Sequence, residues 1–474
     1  MTMKLSLLPV YLLGVSLFFP TRGWAEAPPQ LVDLSPNEYA ALERISVNAV
    51  AGTISFLAAD ELEGRGTPSR GLKIATAYAA SRLRAAGATG LGPAGSFYLE
   101  SSLEVVHTSS HGLTVRGQDG AGFRSSLIDG RDASLEFQGE VPRANTKTAA
   151  QQRYAGPVLL PVGEEDQTWP PPTPWLRREA NRLQQQGATA ILLEASSNST
   201  FWNLATTRQQ TVRVDRSRDR YALPIVVVEV GSLTDNHLLE LSIPANIVES
   251  TTVRNVAGII RGSDSVLADE AVLFTAHIDH LGLTASGEDR VYNGADDDAT
   301  GVTAVLGLAD AYGSLETAPR RSVIFTLFWG EELGLLGSKQ FAQAPPWPLD
   351  KIIANINIEM IGRPEAEAEN KMWMTGWEAS DLGELMNAGS RRLAVETFQH
   401  PSYSARLYRA SDNFSFVQQG VIAHSFSAGS LHDDYHQPSD EWEKLNLPHM
   451  TQVMRGLFAG SLPLAQGEVT PSKR

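Results

Sequence analysis

Four short apolar runs divide the second half of the chain: Ala271–Thr275, Val323–Phe328, Ile352–Ile358 and Val421–Phe426. Helical patterns lie between them. Runs this short and this continuously apolar suit strands covered on both faces, as in a parallel sheet. Their alternation with helices predicts βαβ units. The expected fold class is therefore α/β, with a mixed, mostly parallel sheet flanked by helices. In open sheets of this kind, ligands collect beyond the carboxyl ends of the strands. Each run leads there into a His or a carboxylate. The first leads to His277 and Asp279, the second to Glu331 and Glu332, the third to Glu359 and the fourth, after a loop, to His436. Four strand ends are thus expected to face one region of space.

The rest of the chain reads differently. Between 110 and 250, short apolar runs (158–160, 190–193 and 223–228) stand among long polar stretches, with a helix expected over 174–186 and closed by Gly187. This block reads as a smaller, β-rich α/β domain inserted between an N-terminal part, 28–109, and the main domain, 251–474. In the N-terminal part a helical pattern runs from Asn37 to Leu62. Gly64-Arg65-Gly66-Thr67-Pro68 breaks it, and a second helix is expected over 72–85. At the start, Lys4 precedes the apolar run Leu5–Phe19, and small residues follow at Gly23, Ala25 and Ala27. That pattern predicts a signal peptide over 1–27 and export to the periplasm or beyond. The apolar run is shorter than the roughly 20 residues a membrane span needs. No later stretch is long and apolar enough, so no span is expected once the leader is removed.

Charge and composition narrow the chemistry. The net charge of −15 repels phosphate backbones and anionic membranes, which argues against a nucleic-acid partner. The chain has no cysteine, so zinc fingers, thiol proteases and iron–sulfur sites are excluded. Any metal must be held by His and carboxylates. In His277-Ile278-Asp279 the carboxylate is placed to accept the second ring N–H of a metal-bound imidazole. Asp296-Asp297-Asp298 leads straight into an apolar helix, whose N-terminal dipole favours acids. In Glu331-Glu332 one carboxylate can bind metal while its neighbour takes a proton from water. Glu359 lies in an apolar run, where a carboxylate is costly unless paired or metal-bound. Each motif has an ordinary alternative: a solvated loop, a helix cap, or, for Glu359, a salt bridge to Arg363. Together they offer two His and several carboxylates, a donor set that suits zinc and also manganese or cobalt. Five ligands sharing one carboxylate serve two metals about 3.5–4 Å apart.

The run from His277 to His436 resembles the co-catalytic zinc aminopeptidases and their relatives, which include the glutamate carboxypeptidases. The resemblance implies two Zn²⁺ ions in a zinc exopeptidase fold acting on peptides. By position, His277 and Glu359 would complete one metal's shell, Glu332 and His436 the other's, and Asp297 would bridge both. Glu331 would be the general base, Asp279 the residue behind His277, and Tyr435 a stabiliser of the oxyanion. Many relatives carry Asp where this chain has Glu359. Phe56-Leu57-Ala58-Ala59-Asp60-Glu61-Leu62-Glu63-Gly64-Arg65 resembles a phrase that precedes the catalytic domain in exported bacterial members. The inserted block resembles a protease-associated domain through Gly156-Pro157-Val158, the stretch 184–190 and Leu223-Pro224-Ile225. The activity expected is that of an aminopeptidase; a carboxypeptidase, a dipeptidase and a non-catalytic receptor-like chain are the alternatives.

Overall fold

The computed structural model describes residues 33–144, 152–162, 173–207, 210–213, 221–233, 237–284 and 287–474. The expected leader, 1–27, lies outside them. The helical pattern over 37–62 resolves into two helices, Pro36–Leu42 and Val47–Leu57, and a 3₁₀ turn, Asp60–Arg65. The break falls at Ser46, whose hydroxyl accepts the Ala49 N–H and so starts the second helix. The helix Arg70–Ala85 follows.

Ten strands form the large sheet. Its main strands in chain order are β1 (Tyr98–His107), β2 (Gln210–Arg213), β3 (Ile247–Ile260), β4 (Ala271–His277), β5 (Ser322–Phe328), β6 (Ile352–Ile358), β7 (Lys371–Met374), β8 (Glu396–Phe398) and β9 (Ala423–Ser427). Across the sheet they run β8-β7-β9-β6-β4-β5-β3-β1-β2, and the short strand Thr89–Gly90 pairs with β3. The four strands built from the apolar runs, β9, β6, β4 and β5, are all parallel. The β3, β1 and β2 edge is antiparallel. The sheet is thus mixed and parallel at its centre.

Every residue of β4 and β5 is buried, which is why these strands read as continuous apolar runs. Side chains alternate across a strand. Val272 and Phe274 of β4 enter the core shared with the helices Thr300–Gly313 and Leu447–Ala465, while Ala271 and Leu273 enter a second core with Phe341 and Phe416. Helices cover both faces, which leaves the strand ends as the place for polar loops. Among the described residues no helix is long and apolar enough to cross a membrane.

Residues 114–243 contain two small sheets. One is antiparallel, from Thr114–Gly117, Leu135–Val141 and His237–Ile243. The other joins Ser125–Asp129, Ile225–Glu229, Ile191–Ala195 and Val158–Pro161. These sheets bury apolar clusters of their own, which draw on residues 113–243 alone. Among the described residues, β2 is the strand that leaves this stretch, to extend the large sheet beside β1.

Candidate metal centre

The parallel register aligns the carboxyl ends of the central strands. His277 pairs with Phe328, Thr275 with Asn357, and Ile358 with Phe426. The residues that follow these strands therefore emerge side by side. Glu359 comes directly after β6, and Glu331 and Glu332 follow the turn at Gly330, whose φ is +68°. The acidic loop 295–299 enters from the start of the helix Thr300–Gly313, and His436 returns on the loop after β9 with φ +58°.

The five expected ligands meet. His277 Nε2 lies 3.1 Å from Asp297 Oδ1 and 3.8 Å from Glu359 Oε1. His436 Nε2 lies 3.1 Å from Asp297 Oδ2 and 3.4 Å from Glu332 Oε2. The two oxygens of Asp297 thus face two different imidazoles, one with Glu359 and one with Glu332. Asp296 and Asp298 turn away. Asp296 accepts the Gly362 N–H at 2.8 Å. Asp298 accepts the N–H groups of His277, Gly301 and Met360 and so ties three loops together. The Asp297–Asp298 peptide is cis.

Asp279 orients His277 in a way the sequence does not show. His277 Nδ1 lies 3.1 Å from the backbone carbonyl of Asp279 and 3.9 Å from its carboxylate. Nδ1–H donates to that carbonyl and leaves Nε2 free to face Asp297. The Asp279 carboxylate accepts instead from the Glu331 N–H and the Thr67 hydroxyl, each at 3.1 Å. It fixes the backbone of Glu331 rather than the imidazole. Glu359 accepts from the Ser411 hydroxyl. Ser411 is held by Asn357, which with Asn355 bonds Thr275 inside the sheet. The Tyr435 ring stacks on His436, with centroids 3.9 Å apart.

Sequence reasoning passed over His280, although it stands in the same phrase as His277 and Asp279. The residue is fully buried, and its Nδ1 is 2.8 Å from Glu332 Oε1 and 3.8 Å from Asp297 Oδ2. Both ring nitrogens and Glu332 Oε1 lack a hydrogen-bond partner among the described residues. The close approach is therefore a contact between unsatisfied polar atoms.

The electrostatics follow from the crowding. Burial opposes ionisation of Asp297, but hydrogen bonds from His277 and His436 overcome it and hold its carboxyl well below the usual range. Burial likewise opposes Glu332, yet His280 and His436 bring it down to about 2. Burial disfavours protonation of His436, while Asp297 and Glu332 lift it to about 10. Glu331 behaves oppositely. Burial, aided by Asp412, Glu359 and Glu332 and opposed by His277, pushes it well above the carboxylate range. A divalent cation in this space would reverse that field and favour the Glu331 carboxylate.

The residues fit a metal. Ligand atoms of His277, Asp297 and Glu332 lie within 4.8 Å of one another. Tetrahedral ligands bonded to zinc at about 2.0–2.2 Å stand roughly 3.3–3.6 Å apart, close to the 3.1–3.4 Å separations around Asp297 and His436. The unpaired buried atoms of His280 and Glu332 also call for a cation. A cavity opens beside the cluster. Met360, Trp373, Tyr403, Leu407, Leu431 and Tyr435 line it, and among the described residues no Lys or Arg does.

The family model described as peptidase family M28 matches residues 255–459, the stretch that carries every one of these side chains. The chain thus carries a region similar to peptidase family M28. Aminopeptidase YwaD of Bacillus subtilis is 25% identical over 292 residues, covering 58% of this chain and 57% of the relative. A probable zinc metalloprotease of Pyrenophora teres f. teres is 31% identical over 121 residues, 26% of this chain and 25% of the relative. The chain spans between 18 and 57% of the length of the curated relatives cited here and of a vacuolar membrane protease of Clavispora lusitaniae. Among solved structures, the aminopeptidase from Aneurinibacillus sp. strain AM-1 superposes with a TM-score of 0.56 at 18% identity, covering 90% of this chain and 95% of that one. That likeness shows a shared fold across most of the chain.

Proposed function

We propose that the chain is an exported zinc-dependent aminopeptidase holding two Zn²⁺ ions. His277 and Glu359 hold one, Glu332 and His436 the other, and Asp297 is shared. The observation that carries this reading is the division of Asp297, one oxygen toward His277 and the other toward His436. When bound, such a pair supplies Lewis acidity toward water and the scissile carbonyl. Glu331 is the general base: it takes a proton from the attacking water and returns one to the leaving amine. Asp279 positions it by accepting its backbone N–H. Tyr435 lines the cavity and supports the developing oxyanion.

The aminopeptidase reading is supported by the likeness to aminopeptidase YwaD and by the cavity wall, where among the described residues no Lys or Arg is placed to pair with a substrate carboxylate. With two Zn²⁺ bound, the charges of Asp297, Glu331, Glu332 and Glu359 are offset by the metals. The leader over 1–27 directs export in this reading, and the block 110–250 acts as a protease-associated-like module that restricts access to short peptides. The test compares amino-acyl anilides with N-blocked dipeptides on zinc-reconstituted protein. Hydrolysis of the anilides alone is expected; cleavage of the blocked dipeptides alone would make the protein a carboxypeptidase.

A further inference from the structure

The proposed chemistry leaves Arg65 unused, yet its side chain is among the largest fully buried ones in the structure, with 1% exposure. It makes no ion pair among the described residues. All four of its hydrogen bonds go to backbone carbonyls. Nε donates to Ile278 O at 3.0 Å, Nη1 to Leu57 O at 2.6 Å and Asn293 O at 2.7 Å, and Nη2 to Gly294 O at 3.0 Å. Ile278 lies between His277 and Asp279. Asn293 and Gly294 open the loop that carries Asp297. Leu57 ends a helix packed into the main core. One guanidinium therefore ties both ligand loops to a fixed helix end.

The backbone around it completes the joint. The Arg65 carbonyl accepts the His280 N–H at 3.3 Å, and Gly66 bridges to His280. Glu63, Gly64 and Arg65 all have positive φ, at 50°, 62° and 49°. A Cβ on Gly64 would stand 2.4 Å from Gly282 O and 2.5 Å from Tyr292 O, so the turn is wedged against both loops with no room for a side chain. The charge matters as well. Burial disfavours the charge on this arginine, while Asp279, Asp297, Asp298 and Asp440 favour it; an arginine stays protonated in proteins. Arg65 is thus a resident cation within a cluster of buried acids.

We infer that Arg65 is a positioning residue for the metal centre. It holds the His277–His280 and Asn293–Asp298 loops in register, and offsets their charge, before a cation binds. This rests on the metal-centre reading above. Metal affinity is then the property that Arg65 sets, and outer-shell partners of ligands typically carry about 10–100-fold in affinity.

The test measures zinc affinity by chelator competition, together with the thermal midpoint with and without zinc, for the wild type, Arg65→Lys and Arg65→Met. Arg65→Met is expected to weaken zinc binding about 10–100-fold and to shrink the zinc-induced rise in midpoint. Arg65→Lys keeps the charge but loses the planar fork, so it should fall between. If Arg65→Met does not fold, the lysine variant carries the test. A merely structural role predicts midpoints lowered equally with and without zinc, and an unchanged zinc affinity; that result overturns the inference. A wild type that shows no zinc-induced shift overturns the metal-centre reading itself.

Discussion

Among the described residues between 110 and 250, every residue with positive φ is a glycine. Around the candidate metal centre, Arg65, Leu335, Met360 and His436 hold that conformation with side chains present. A non-glycine residue there costs on the order of 1–3 kcal/mol and persists where its surroundings over-determine it. The treatment of charge differs in the same way. In the block, the buried carboxylate of Glu194 is matched by Arg143 at 2.6 Å and by the Gly231 N–H at 2.9 Å. At the strand ends Asp279, Asp296, Asp297, Asp298, Asp412 and Asp440 are all buried within one neighbourhood, and Asp412 has neither oxygen hydrogen-bonded among the described residues. In the block this carboxylate is paired with a guanidinium. At the strand ends carboxylates crowd together, and atoms of His280, Glu332 and Asp412 have no hydrogen-bond partner among the described residues; departures of this kind from local consistency are expected at functional sites.

The comparison breaks most easily at Glu331. Glu331→Gln should lower turnover by about 10²–10⁴-fold and leave bound zinc unchanged by elemental analysis. Normal peptide hydrolysis by that variant would remove Glu331 from its role. A smaller effect is expected in the block. Leu193 is fully buried in the strand Ile191–Ala195, so Leu193→Ala should cost roughly 2–5 kcal/mol in that unit, seen as a lower unfolding midpoint. Zinc affinity should stay the same; a matching fall in affinity would show that the two regions are not independent.

The smallest effect concerns His424, on β9 below the site. Its Nδ1 donates to Thr375 O and its Nε2 accepts from Ser380, each at 2.7 Å, so the ring is held neutral. Burial pulls its pKa down from 6.5 to about 4. Between those values the unfolded chain binds a proton that the folded chain does not. Stability from this group is intact above pH 6.5 and falls as pH drops toward 4, by roughly 3 kcal/mol in all. His424→Gln should flatten the dependence of unfolding free energy on pH across that window, as read by denaturant titration. An unchanged slope would remove His424 from the account.

The central strands were legible because burial on both faces leaves an apolar run of fixed length. The ligands were legible because each run ends at one. His280 was harder. Its phrase was visible, but its role depends on Glu332, which stands 52 residues later in the chain and meets it only through the parallel pairing of β4 with β5. Asp279 shows another limit: spacing placed an acceptor near His277 but did not say that the backbone carbonyl would be the one used. Arg65 was visible as part of a helix-breaking phrase and of the 56–65 phrase, but its role was not, because hydrogen bonds to carbonyls leave no trace in side-chain identity. The turn at 43–46 was masked by the helical spacing on either side of it.

The most direct test of the account is the zinc content of purified, reconstituted protein, read beside hydrolysis of an amino-acyl anilide. Two zinc ions per chain are expected, with activity lost on chelation and restored by zinc. A chain that binds no zinc, or that hydrolyses the anilide equally well after chelation, would contradict it.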